Sequence, residues 1–243
     1  MSKIVCFDFG NTRHKCAVFE DKNFLKEIVL EDRGVEAVLQ VLNSELPEYT
    51  ILSSVVHHDP AIETLLAEKT KFHKVSYLSK MVVDTPFPTK TNVGADRWAL
   101  LSAAAELFPK KHCLVIGLGS CVTYNFLNNM EVFLGGSISP GLHMRFKAMN
   151  DYTALLPLQE PQWNIPLVGY DTPTNLLSGV ILGMSKEIDG IIDLYKQKYN
   201  NLQVLMTGGD MPFFSSHLKN EIYADAQLVY KGIWSIGKLN LNF

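Results

Sequence analysis

Two short stretches of the chain place reactive side chains where backbone turns could hold them. In VCFDFGNTRHKCAVFE, residues 5–20, an apolar run delivers Asp8 into the turn Gly10-Asn11-Thr12. In TNVGADRWALLSAAAELF, residues 91–108, Asp96 and Arg97 occupy the first turn of a helix-forming segment. Two further glycine-rich turns follow strand-like runs, Gly119-Ser120 and Gly208-Gly209-Asp210. Glycine lets a backbone N–H approach a phosphate closely, and Ser and Thr hydroxyls add donors. One such turn alone is equally well a hairpin turn; three of them at the ends of comparable strands point to phosphate. A carboxylate at the mouth of a phosphate cradle repels its ligand unless a divalent cation lies between them, as magnesium commonly does. The other reading of Asp8 is an Asx-turn onto the backbone. Asp96 complements a helix N-terminus, but Arg97 does not. The pair could instead bind a carboxylate through Arg97 while Asp96 accepts a proton from a hydroxyl.

Several chemistries are excluded. There is no GxxxxGK[ST] and no GxGxxG after a strand, so neither a P-loop nor a dinucleotide fingerprint is present. His57-His58-Asp59 lacks the i, i+4 spacing of a helical metal pair and reads as a loop. Cys6, Cys16, Cys113 and Cys121 show no CxxC spacing and lie in apolar stretches, which suits buried free thiols in a reducing cytoplasm. The formal net charge of -3 offers no basic stripe for nucleic acid. No apolar run approaches the ~20 residues of a membrane span. The N-terminal MSKIVCFDFG is interrupted by Asp8 too soon for a signal peptide.

The elements that must position these residues repeat. HCLVIGLGSCVTYNFL, residues 112–127, echoes the opening stretch: Gly119 aligns with Gly10, Ser120 with Asn11 and Gly117 with Asp8. The offset of 109 positions is too long for a solenoid and fits a duplicated domain. The expected division is 1–109 and 110–243. Strands are expected at Ile4–Asp8, Lys15–Glu20, Phe24–Leu30, Tyr49–Val56, Cys113–Ile116, Cys121–Leu127, Glu131–Leu134 and Gln203–Met206. Helices are expected at Val35–Leu46, Ala61–Lys69 and Ala95–Phe108, the last with Leu100, Leu101, Ala104 and Leu107 on one side. A long helix starts after Asp171, with Leu176, Leu177, Val180, Met184, Ile188, Ile191 and Tyr195 on its apolar face. Gly179 and Gly183 within it suggest close packing or a kink. Hairpin strands paired with helices in each half give an α/β arrangement with mixed sheets and a cleft between domains.

With DFGNT (8–12), SSVV (53–56), GADRW (94–98), GLGSCVT (117–123), GGSISPG (135–141), GYDTPTNLLSG (169–179) and TGGD (207–210) in this order, the chain resembles the type III pantothenate kinases. These belong to the superfamily of acetate and sugar kinases, Hsc70 and actin. The resemblance implies two duplicated ribonuclease-H-like halves and ATP-dependent phosphorylation of pantothenate, the first step toward coenzyme A, in a cytoplasmic homodimer. It makes Asp8, Phe9, Gly10, Asn11, Thr12, Arg13, His14 and Lys15 the first ATP phosphate loop, with Asp8 facing a divalent cation through phosphate. It makes Ser120 an ATP contact in the second loop and Asp96 the proton acceptor. Phe87, Gly94, Ala95, Arg97 and Thr172 then line the pantothenate site. The family's second loop usually carries an Asp that helps bind potassium or ammonium; here that position is Gly117. Cation-independent activity, a cation held by other oxygens, and weakened catalysis are all open. The alternatives are a relative that binds nucleotide or a partner without turnover, and a kinase acting on a sugar.

Overall fold

The computed structural model describes residues 2–89 and 93–243. The chain forms two compact units. The first comprises the described part of Met1–Pro109 with Glu131–Phe133 and Gln227–Phe243; the second comprises Lys110–Met130 and Leu134–Ala226.

In the first unit, β1 (Lys3–Phe9), β2 (His14–Glu20) and β3 (Asn23–Val29) form an antiparallel meander. Helix α1 (Val35–Glu45) leads to β4 (Tyr49–Ser54), parallel to β1, and α2 (Pro60–Lys69) leads to β5 (Lys71–Lys74), parallel to β4. The strand order is β3-β2-β1-β4-β5. Phe7, Phe9, Cys16 and Val18 on one face of this sheet pack with Val38, Leu42, Ile62 and Leu66 of α1 and α2. Strand alternation therefore turns Asp8 and its cross-strand partner Lys15 to the opposite face. That face receives α3 (Ala95–Leu107) and α7 (Leu228–Leu241). Helix α2 starts where Asp59 accepts from the Ala61 N–H at 2.9 Å and Pro60 holds the first turn.

In the second unit, β6 (Cys113–Leu118), β7 (Cys121–Leu127) and β8 (Phe133–Pro140, entered from the first unit) are followed by α4 (Leu142–Asp151) and α5 (Thr172–Lys198). Then come β9 (Gln203–Thr207), α6 (Met211–Ser215) and β10 (Tyr223–Ala224). The order β8-β7-β6-β9-β10 repeats that of the first sheet strand for strand, so the duplication read from the two hairpins extends to topology. Both are the ribonuclease-H-like arrangement. A capping box between Asp171 and Thr174 starts α5, and Leu176, Leu177, Val180, Ile181, Met184, Ile188 and Ile192 bury its inner face.

Three expectations change. Strand β8 runs from Phe133 to Pro140, past the expected end at Leu134, because Gly136 lets it lie against the Tyr124 carbonyl; a Cβ there would stand 1.7 Å from that oxygen. Helix α3 is buried all round, with Ala95, Trp98, Ala99, Leu100, Leu101, Ser102 and Ala103 to Ala105 inside and Leu107 exposed, so it has no single apolar side. Gly179 and Gly183 do not pack closely against a neighbouring element, since a Cβ at either would meet nothing within 4 Å. The elements β5, α4, α6, β10 and α7 are additional to those expected.

Helices α3 and α7 touch backbone to backbone: a Cβ on Gly232 would stand 1.7 Å from the Ala99 carbonyl oxygen. Gly232→Ala is therefore expected to force the helices apart and destabilise the first unit by roughly 1–3 kcal/mol. Urea unfolding checks this; an unchanged midpoint would show the contact to be slack.

Candidate active site

Asp8 ends β1 on the sheet face covered by α3 and α7. It is 9% exposed, and its Oδ2 lies 3.6 Å from Lys15 Nζ. Burial pushes its pKa up from 3.8 to about 6, with Lys15 opposing and Asp96 and Glu27 adding to the rise. The influence of Asp96 on Asp8 places the buried Asp8 and the half-buried Asp96 carboxylates in one neighbourhood.

Asp96 sits in the first turn of α3. Its Oδ1 accepts from the Arg97 N–H at 2.8 Å, folding the carboxylate back over the helix start. Gly94, the N-cap, makes room for this: a Cβ there would come within 2.5 Å of Asp96 Oδ1. Burial raises the Asp96 pKa, and the Arg97 N–H and guanidinium restrain the rise. The Arg97 guanidinium lies 5.2 Å from the Phe133 ring centre. Phe87 meets the same ring edge to face at 5.5 Å, and Trp98 meets it at 6.0 Å. Phe133 is held there by its N–H donating to the Asp84 carbonyl and its own carbonyl accepting from Thr85 Oγ1 at 2.9 Å. Phe133 was not singled out in the sequence. Its only signal was an aromatic at the start of a strand-like run, which reads as core.

The first turn spans residues 10–13, closed by the Gly10 N–H donating to the Arg13 carbonyl at 3.2 Å. Arg33 fastens it from outside, donating to the Asn11 and Thr12 carbonyls. Asn11, Thr12 and Arg13 are exposed. Phe9 and His14 point the other way: the His14 ring is 3% exposed and stacks on Phe9 at 4.0 Å, so only backbone from these two faces the turn. In the second unit the Gly119 N–H donates to the Cys121 carbonyl, and the Gly141 N–H, at the start of α4, donates to the Ser120 carbonyl. Asp210 follows β9 with its N–H donating to the Leu118 carbonyl. Gly117 pairs with Thr123 and Thr207, and the strand position that carries Asp8 in the first unit has no carboxylate here. Thr172 is exposed at the start of α5 and lines a cavity of about 480 Å³ with Arg145, Asn175 and Gly179.

The turns fit phosphate. Gly10, Gly119 and Gly209 lie outside the left-handed region, and a Cβ at each would meet at most a carbonyl oxygen at 3.6 Å or more. Their own packing does not demand glycine, so the space before them is available to a ligand. Asp8 fits a divalent cation bridged through phosphate, because a buried carboxylate held near 6 gains from a neighbouring positive charge. His58 is a structural residue: its Nδ1 pairs with Ser54 Oγ and its Nε2 with Glu63. No group of three metal-binding side chains occurs among the described residues. Cys6, Cys16 and Cys113 are buried free thiols, and Cys121 is partly exposed.

The Asp8 shift carries a stability consequence. With its folded pKa near 6 and an ordinary value of 3.8, the folded protein holds this proton more tightly, so stability present below about 3.8 is lost as pH rises through about 6. Asp8→Asn is expected to stabilise the nucleotide-free protein at about pH 8 by up to roughly 3 kcal/mol. The gain should shrink as pH falls toward about 4. Urea unfolding across this range measures it, and a gain independent of pH would refute the assignment.

The sequence model described as type III pantothenate kinase matches residues 4–194. A type III pantothenate kinase of Christiangramia forsetii is 36% identical over 235 residues, covering 96% of this chain and 97% of its own. One from Cytophaga hutchinsonii is 39% identical over 207 residues, 84% of this chain and 86% of its own. Among solved structures, a Campylobacter jejuni protein described under the Baf family of transcriptional activators superposes with a TM-score of 0.62 at 21% identity, covering 98% of this chain and 100% of its own. An inorganic polyphosphate/ATP-glucomannokinase from Arthrobacter gives 0.51 at 14%, covering all of both chains. At these identities the structures establish shared fold alone. The sequence relatives go further: this chain belongs to the type III pantothenate kinase family.

Proposed function

We propose that the chain transfers the γ-phosphoryl group of ATP to the primary hydroxyl of pantothenate, giving 4'-phosphopantothenate and ADP, the first step of coenzyme A biosynthesis. The observation that carries this reading is Asp96, a half-buried carboxylate whose pKa is raised by desolvation, folded over the first turn of α3, beside Asp8, in a member of this family. Asp96 accepts the hydroxyl proton as the oxygen–phosphorus bond forms and the bond to the ADP oxygen breaks. The higher its pKa below neutrality, the stronger a base it is while remaining ionised. Arg97, steadied on Phe133, offers its guanidinium edge to the pantothenate carboxylate. Phe87, Gly94 and Ala95 line the pocket, and Thr172 contributes a hydroxyl.

The backbone of residues 8–15, with Lys15, holds ATP phosphates in the first loop, and Ser120 does so in the second. A divalent cation, magnesium in the simplest case, neutralises phosphate charge when bound beside Asp8. Gly117 supplies no carboxylate for potassium or ammonium, so turnover is proposed not to depend on them. The retained Asp8, Asp96 and Arg97 weigh against a binding-only role.

The active form is proposed to be a cytoplasmic homodimer. The free thiols suit a reducing compartment. No helix among the described residues is long and apolar enough to cross a membrane. Tyr152 and Leu155 are 89% and 91% exposed, and Leu167, Val168 and Tyr170 are also exposed, just before Thr172. An apolar segment of this size seeks a partner.

The protein with ATP, magnesium and pantothenate is expected to release ADP and phosphopantothenate at equal rates in sodium and in potassium. No product in either defeats the proposal, and potassium dependence defeats the role given to Gly117. Asp96→Asn should lose roughly 10²–10⁴-fold in kcat while still binding ATP. Light scattering should give twice the chain mass, falling to one chain for Leu155→Ser with Tyr170→Ser; a monomeric parent rules out the dimer.

A further inference from the structure

Lys15 has more partners than a phosphate ligand requires. Its Nζ stands 3.6 Å from Asp8 Oδ2 and 3.9 Å from Glu27 Oε2. Both are longer than the ~2.8 Å of a closed charge-assisted bond. The ammonium also lies 4.9 Å from the centre of the Tyr230 ring. Tyr230 is fully buried on α7, two residues before the Gly232 contact with α3, so its ring has little freedom. Its hydroxyl donates to Glu27 Oε2 at 2.8 Å. Burial and the neighbouring Glu27 carboxylate keep that phenol protonated, which fixes the direction of the bond.

We propose that Tyr230 and Glu27 are positioning residues for Lys15, holding its ammonium short of a closed ion pair with Asp8. A closed pair would tie up both groups, the ammonium needed for ATP phosphate and the carboxylate needed for the cation beside it. Glu27 competes with Asp8 for the ammonium, Tyr230 anchors Glu27, and the Tyr230 ring face supports the ammonium. The charged and titratable groups facing Lys15 and Asp8 are Glu27 on β3, Asp96 on α3 and Tyr230 on α7. This inference rests on Lys15 contacting ATP.

Steady-state kinetics of the full chain with magnesium ATP and pantothenate tests it. Glu27→Gln should raise KM for ATP on the order of tenfold and leave KM for pantothenate unchanged. The effect should fall on KM for ATP rather than on kcat. Tyr230→Phe keeps the ring and changes no charge, yet should raise KM for ATP by a smaller factor. The double variant should be no worse than Glu27→Gln alone, because the two act through one contact. A parent-like KM for ATP in both single variants overturns the proposal, as does a fall in kcat with KM for ATP unchanged. If Tyr230→Phe does not fold, Glu27→Gln on the exposed edge strand decides between these results. Lys15→Met separates the two levels: a parent-like KM for ATP overturns the reading of Lys15 itself, whereas a raised KM beside silent Glu27 and Tyr230 variants overturns only the positioning role.

Discussion

The close approach of α7 to α3 governs the first unit. Gly232 permits backbone contact at the Ala99 carbonyl, and Gly237 brings α7 down onto Ile51 of β4. Helix α3 is consequently enclosed and must be rich in alanine. Its first turn, anchored by that enclosure, carries Asp96 and Arg97 to the end of β1. The same contact sets Tyr230 beneath Lys15. Were the two helices separated by ordinary side chains, the carboxylates and the ammonium would lose their shared boundary.

That boundary explains the electrostatics. A carboxylate at a sheet end normally reaches water and ionises freely. Asp8 is instead covered, and among the described residues Lys15 at 3.6 Å is the one cation paired with it. The site is thus kept short of positive charge in the absence of ligand, an arrangement that favours whatever brings a cation in. The second unit repeats the strand order but not the carboxylate, so the two hairpins share a scaffold without sharing a charge.

Much of this was legible in the chain. The echo of residues 5–20 in 112–127 exposed the duplication because apolar runs ending in glycine turns are local features. Most strands and helices followed from alternation and 3.6-residue spacing. Burial of α3 on every side was hidden because alanine reads as neutral, and its cover, α7, comes from more than a hundred residues away. Helix α7 was obscured by Gly232 and Gly237, which local propensity counts as breakers although close packing requires them. Phe133 and Tyr230 were missed for a related reason: an aromatic in an apolar run announces burial, not what it supports. The ring of His14 likewise went to the core, since strand alternation opposes it to Lys15.

The hydrogen bond from Tyr230 to Glu27 joins residues 203 positions apart. A nascent chain leaves the ribosome N-terminus first, so β1 to β5 emerge long before the helix that covers one of their faces. Nearly all of the second unit lies between them in sequence. The later half can therefore close on itself while the earlier half still waits with an uncovered apolar face. Synthesis order and completion order are reversed, and the pocket around Asp8 is assembled last.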